Sequence, residues 1–456
     1  MSTRASTLLL PVEIQVREMD AKILLASVAA ERGYPVILGS RAFLHFQAAS
    51  VPRGVYLAKS MRRMSIRMFH ILRELGHEIV AWDEEALLRQ PDEEYYRWRL
   101  SPVTMRDIAH LLAWGDDDAR VLRDYSGYSG VPIHVTGNPR IDLMRPEVRE
   151  YYRPDVDMIR ARFGDFVLIN TNFNGVNHFF AELSHFKNAA EAADAATVHP
   201  FEAGKGRHKL ALFHHFQAMV PRLCAAVADH TVVLRPHPNE NHATWLEVAK
   251  GCPNLQVVNE GNVIPWLLAS KALVANSCTT MVESAVLDVP TVNFEPVTSA
   301  EYDYQLPNTL SRSAVSIDDV CELVVSMVRG VIGPLGLAER RATLAQHLAA
   351  LDGPLAADRM VDVLDECGYR DRLPPAPPLW TRVRGQFDNR RRTASKRRNM
   401  RRPGHRNNIV YHAHRFPDIS VAEVRDRVAR FGRLLSRFER VHVEPFGEHT
   451  FRFSSY

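Results

Sequence analysis

KALVANSCTTMVESAVLDVPTVNFEP, residues 271–296, changes its hydrophobic period twice. The apolar run KALVA is continuous, as in a strand buried on both faces. Apolar residues then recur at helical spacing through Met281, Val282, Ala285 and Val286, and VPTVNF returns to a strand. A strand, a helix and a strand joined by such short turns form the unit of a parallel α/β sheet.

The same alternation extends outward in both directions. Upstream lie the strand DFVLIN, the helix KLALFHHFQAMVPRLCAAVA from residue 209, the strand TVVL, LQVV and the helix VIPWLLAS. Nearer the start come a helix within VEIQVREMDAKILLASVAAERG that stops at Gly33, the strand PVILG, a helix ending at Gly76, the strand EIVAW and the segment GVPIHV. The expected fold is α/β: two Rossmann-like domains, residues 1–148 and 149–370, facing each other across a cleft. Residues 371–456 are expected to form a proline-rich linker (LPPAPPLW), a basic segment, and a small α/β tail with a Ser420/Glu423 capping box and a terminal hairpin.

Composition narrows the class. The 456 residues are 46% hydrophobic and 24% charged, which suits a soluble globular chain. No run approaches the roughly 20 apolar residues of a membrane span, and MSTRASTLLLPVEI has too short an apolar core for a secretory signal, so a cytoplasmic location is expected. Five widely spaced cysteines without a CxxC pair suggest neither disulfides nor zinc. The histidines at 178, 185, 199, 208, 214 and 215 have spacings that suit no single metal face, and the His199-Pro200 pair lacks a preceding strand. The net charge of +4 conceals the dense basic run 382–402, which contains one acid, Asp388.

Ligands in parallel sheets bind beyond the carboxyl ends of the strands, and three polar clusters fall there. Asp83, Glu84 and Glu85 follow EIVAW; mutual repulsion of adjacent carboxylates would raise one pKa and make it a base toward a hydroxyl. Arg235, His237 and Glu240 follow TVVL, with His237 held between Pro236 and Pro238 beside an arginine suited to phosphate. Ser277, Thr279 and Thr280 stand where a strand becomes a helix, either as helix caps or as an anion seat. Arg17, Glu18, Asn138, Arg140 and Asn170 to Asn172 are further candidates for the cleft, with turn chemistry as the plainer reading of several.

Strand-end acids in one domain, with an HP pair and a serine-threonine cluster in the other, resemble the three signatures of bacterial sialyltransferases and related CMP-sugar glycosyltransferases of GT-B fold. VEIQVREMDAKILLA, GVYLAKS, WDEEAL, GNPRIDL, INTNF, LRPHPNE and NSCTTMVESAVLDVP together resemble the bacterial surface carbohydrate biosynthesis proteins over residues 9–370. The resemblance implies that Glu84 or Glu85 is the base on the acceptor hydroxyl and that His237, Ser277, Thr279 and Thr280 hold the CMP phosphate. It also implies an acid, Glu283, near the nucleotide ribose. Ala86 stands where the acidic signature carries glycine.

The expected activity is transfer of a ulosonic acid, such as Kdo or a sialic-acid-like sugar, from a CMP-activated donor to a glycan or lipid-linked acceptor. No metal or other cofactor is expected, since Arg235, His237 and a helix terminus can neutralise the phosphate. Rival expectations are a CDP-glycerol-type phosphotransferase, a nucleotide-sugar 2-epimerase and a non-catalytic GT-B scaffold. For the run 382–402 the readings are an anionic membrane surface, which would bring the enzyme to the inner face of the membrane, or a solvated linker; nucleic acid ranks last because no aromatics interleave with the charges.

Overall fold

A computed structural model of the chain describes residues 5–89, 91–184, 199–405 and 407–455. It divides into two compact units, residues 1–151 with 344–456, and residues 152–343.

The first unit is built on an eight-stranded sheet among the described residues. Strands β1 (Thr7–Val12), β2 (Val36–Ser40), β3 (Gly54–Ala58), β4 (Glu78–Ala81), β5 (His110–Ala113) and β6 (Ile133–Val135) run parallel in the order β2-β1-β3-β4-β5-β6. All six residues of β1 are buried, as expected for a central parallel strand covered on both faces. The hairpin β13 (Val441–Gly447) and β14 (Thr450–Ser455) extends this sheet, with β14 antiparallel to β2. Gly39 permits that addition: a Cβ there would lie 2.2 Å from the His449 carbonyl oxygen.

The second unit carries an all-parallel sheet of β7 (Phe166–Asn170), β8 (Thr231–Arg235), β9 (Leu255–Val257), β10 (Ala272–Ala275), β11 (Thr291–Phe294) and β12 (Arg312–Ala314) in the order β12-β11-β10-β7-β8-β9. Its core packs Val167, Ile169, Val232, Leu234 and Val274 against Phe213, Phe216 and Val220 of the helix Pro200–Ala226. That helix starts earlier than its hydrophobic period suggests. Pro200 opens it, and Gly204 interrupts the pattern because Tyr302 lies against it, the hydroxyl oxygen 2.0 Å from where a Cβ would sit.

The unit boundaries differ from the expected 149–370 and 371–456. Residues 344–370 return to the first unit, because the Asp142 carboxylate accepts from the N–H groups of Ala356 and Ala357 (2.8 and 2.9 Å) and so caps the helix Ala356–Glu366. Arg145 also binds the carbonyls of Ala350, Gly353 and Pro354. The basic run is not an extended linker. It lies in the helix Leu379–Met400, which packs on the helix Ile66–Leu75 through a buried Gly385, whose Cβ would stand 2.8 Å from the Glu74 Cβ. The capping box of the helix Val421–Leu435 forms as its sequence requires, Ser420 Oγ accepting from Glu423 N at 3.1 Å and the Glu423 carboxylate from Ser420 N at 2.8 Å. Among the described residues no helix is long and apolar enough to cross a membrane.

Candidate functional site

In the second unit the candidate residues follow β7, β8 and β10, and those after β7 and β8 converge on one carboxylate. Glu240 is fully buried. Its Oε1 accepts from Thr171 Oγ1 (2.8 Å), Phe173 N (2.8 Å) and His237 N (3.2 Å), while Oε2 accepts from Trp245 Nε1 (3.0 Å) and Asn177 Nδ2 (3.4 Å). Burial raises its pKa, against the effect of these donors. Expected among the ligand-facing groups beyond β8, Glu240 is instead the internal tie between the loops after β7 and β8.

His237 is partly exposed on that tied loop, and its Nδ1 accepts from Asn239 N at 3.1 Å. With Nδ1 so engaged, the neutral ring carries its proton on Nε2. Pro238 beside it is also partly exposed. Arg235 does not behave as expected. Its guanidinium donates to the carbonyls of Glu260 (2.8 Å) and Gly261 (3.2 Å) and stacks 4.7 Å from the Trp266 ring, and burial pushes its pKa down to about 9. It therefore organises the loop after β9.

After β10, Ser277 is fully buried with a φ of 40°, a left-handed conformation unusual for a residue with a side chain. Its Oγ donates to Asn308 Oδ1 at 3.0 Å. The helix Thr279–Val286 follows with Cys278 at its N-cap and no side chain accepting there, so neither Ser277 nor Thr279 is the cap. Thr279 and Thr280 are half-buried in the first turn, Thr280 Oγ1 lies 2.8 Å from Cys278 Sγ, and Glu283 is buried a turn further on.

Two residues of this cluster escaped the sequence reading. Lys209, buried on the helix Pro200–Ala226, donates to Asn276 Oδ1 (3.2 Å) and Asn172 Oδ1 (3.4 Å); burial pushes its pKa down to about 8. Asn308 receives Ser277. Asn172 in turn donates to the carbonyls of Asn276 and Ser277, both at 3.1 Å. Lys209 was hidden because a lysine opening an apolar helix reads as solvated surface. Of the crowded histidines, His208 pairs with Asp303 at 2.7 Å and His185 lies outside the described residues.

In the first unit the acids after β4 diverge. Asp83 is buried and held by Arg99 (Nε at 2.8 Å) and by the Tyr95 hydroxyl at 3.1 Å. Glu84 is buried, accepts from Trp82 Nε1 at 2.9 Å and pairs with Lys22 at 3.4 Å. Burial would raise its pKa, but Lys22, Lys59 and Arg140 hold it below the ordinary range. Glu85 is half-exposed and pairs with Arg17 at 3.1 Å; against the upward push of burial, Arg17, Arg99 and Arg140 hold it at about 2. Neither Glu84 nor Glu85 therefore carries the raised pKa expected from adjacent carboxylates, since each has its own cation. Ala86 is fully buried outside the left-handed region, so this turn does not require the glycine. Asn138 caps the short helix Pro139–Asp142, accepting from Arg140 N at 3.0 Å.

No family model matches the chain, and no curated protein matches it. Among solved structures, the wall teichoic acid polymerase TagF soaked with CDPG aligns with a TM-score of 0.50 over 79% of this chain and 88% of that one, at 10% identity. A putative UDP-N-acetylglucosamine 2-epimerase from Listeria monocytogenes gives 0.49 over 82% and 100%, at 12% identity. The Methanocaldococcus jannaschii UDP-GlcNAc 2-epimerase in complex with UDP-GlcNAc and UDP gives 0.47 over 79% and 99%, at 12%. At such identities the likeness to the polymerase is one of fold. The chain has a GT-B-like α/β fold of two Rossmann-like units.

Replacing Glu240 by Gln puts an amide NH2 among five donors and leaves part of the network unmatched. The urea midpoint of the second unit should fall by the equivalent of about 3 kcal/mol; an unchanged midpoint would deny Glu240 its role as tie.

Proposed function

We propose that this chain is a glycosyltransferase of surface polysaccharide assembly that takes a ulosonic acid, such as Kdo or a sialic-acid-like sugar, from a CMP-activated donor to a glycan or lipid-linked acceptor. The observation that carries the reading is the cluster at the strand ends of the second unit. A histidine with its proton on Nε2, a strained serine and the N-terminus of the helix Thr279–Val286 beside a buried lysine suit the phosphodiester of a CMP-sugar. Arg235 is left out of phosphate binding in this reading.

In the reaction the acceptor oxygen bonds to the anomeric carbon as the bond from that carbon to the CMP phosphate oxygen breaks. The departing electron pair stays on the phosphate, where His237 and the helix N-terminus offset the charge. Glu85, the more accessible of the two glutamates, takes the acceptor proton. Its pairing with Arg17 makes it a weak base at rest, so the acceptor must displace Arg17 before the proton moves. A second reading, a CDP-glycerol-type phosphotransferase, is favoured by the fold likeness to a polymerase soaked with CDPG; the donor would then lose CMP by cleavage between its two phosphates.

The helix Leu379–Met400 supports a peripheral membrane contact. Trp380 (82% exposed), Val383 and Phe387 (64% exposed) share one face, and Arg391 and Arg398 continue it. Exposed aromatics followed by arginines match the apolar boundary and anionic headgroups of a bilayer.

Calorimetric titration should find CMP bound more tightly than UDP; tightest binding of UDP would contradict the donor, and of CDP would select the second reading. His237→Ala should weaken CMP by about tenfold, the worth of one charge-assisted hydrogen bond, and leave cytidine unchanged. Glu85→Gln should abolish transfer with CMP affinity intact. Wild-type protein should sediment with phosphatidylglycerol vesicles and a Trp380→Glu/Phe387→Glu variant should not; equal sedimentation would remove the membrane contact.

A further inference from the structure

His110, His134 and Cys367 take no part in the site above. His110 is the first residue of β5, at the opposite end of that strand from the candidate site. His134 lies opposite Leu112 on the neighbouring strand β6. Residues two apart on a strand share a face, so His110 and His134 project from the same side of the sheet.

Cys367 reaches that side from the far end of the sequence. It ends the helix Ala356–Glu366, and the turn beyond it is fixed by Gly368 with φ 78°, by Gly368 N donating to Asp365 O (2.8 Å) and by Tyr369 N donating to Leu364 O (3.1 Å). Tyr369 is buried, and its hydroxyl donates to Glu78, whose charge is felt by both His110 and Cys367.

The donor atoms meet at ligand spacing. His134 Nε2 lies 3.3 Å from His110 Nδ1, and Cys367 Sγ lies 3.7 Å from the same nitrogen. One ligand atom from each of the three falls within 4.8 Å of the others. A tetrahedral zinc at about 2.0–2.1 Å from nitrogen and about 2.3 Å from sulfur sets its donors about 3.3–3.6 Å apart. As hydrogen bonds, both approaches would share the one in-plane lone pair of His110 Nδ1, each weakened by the other. A cation between the three satisfies all of them.

We propose that His110, His134 and Cys367 bind a zinc ion that clips the returning segment 344–370 to β5 and β6, with water in the fourth position. Three side chains of these types form a borderline-soft set that suits zinc above magnesium or calcium. The sequence does not reveal the group, because Cys367 lies more than two hundred residues from either histidine.

Full-length protein stripped with a chelator is titrated with Zn2+ in competition with a chromophoric chelator, and its thermal unfolding is followed with and without the metal. The wild type should take up one zinc per chain and melt at a higher temperature when loaded. His134→Ala and Cys367→Ser should each weaken zinc by at least about tenfold and lose the thermal gain. Cobalt in place of zinc should give the wild type an intense thiolate absorption that Cys367→Ser lacks; should that variant not fold, the half-buried His134→Ala decides alone. Wild-type uptake no greater than that of His110→Ala/His134→Ala, or variants that keep full affinity, would overturn the site.

Discussion

The second unit depends on how one buried carboxylate is satisfied. Glu240 has no exposed surface, and five donors from the loops after β7 and β8 and from Trp245 surround it. A buried acid without such partners would cost several kcal/mol, so the loops cannot separate without exposing that penalty. The constraint fixes the backbone of His237, and the Asn239 N–H then fixes which ring nitrogen donates. Lys209 repeats the logic one strand over, joining Asn172 to Asn276 beside the strained Ser277.

The first unit meets the same problem with pairs. Lys59 joins Glu18 and Glu13, Lys22 joins Glu84, and Arg99 joins Asp83 around the ends of β1, β3 and β4. Buried ion pairs contribute little net stability, but removal of one partner is costly. Such a network holds side chains in one arrangement, and it leaves Glu85 as the acid at the edge, in contact with an arginine that is itself partly exposed.

Much of this was legible in the sequence. Strands β2, β4, β7, β8, β10 and β11, the helix Thr279–Val286, the Ser420 capping box and the terminal hairpin follow from apolar runs and punctuation that local physics imposes. The central strand β1 is not evident in the sequence, because its short apolar run TLLLPV sits directly before a helix. Non-local pairing was hidden as well. Nothing near Asp142 announces that it caps a helix two hundred residues later, and nothing near Gly39 announces the arrival of β14. At the site, position after a strand was readable but direction was not: Arg235 and Glu240 occupy the expected loop yet turn inward to carbonyls and N–H groups.

The central claim is that the strand ends of the second unit seat a cytidine nucleotide phosphate. A crystal structure of the chain grown with CMP tests it most directly. The account predicts phosphate oxygens within hydrogen-bonding distance of His237 Nε2 and of the first-turn N–H groups at Thr279 and Thr280. Nucleotide bound elsewhere, with these groups facing only solvent, would contradict it.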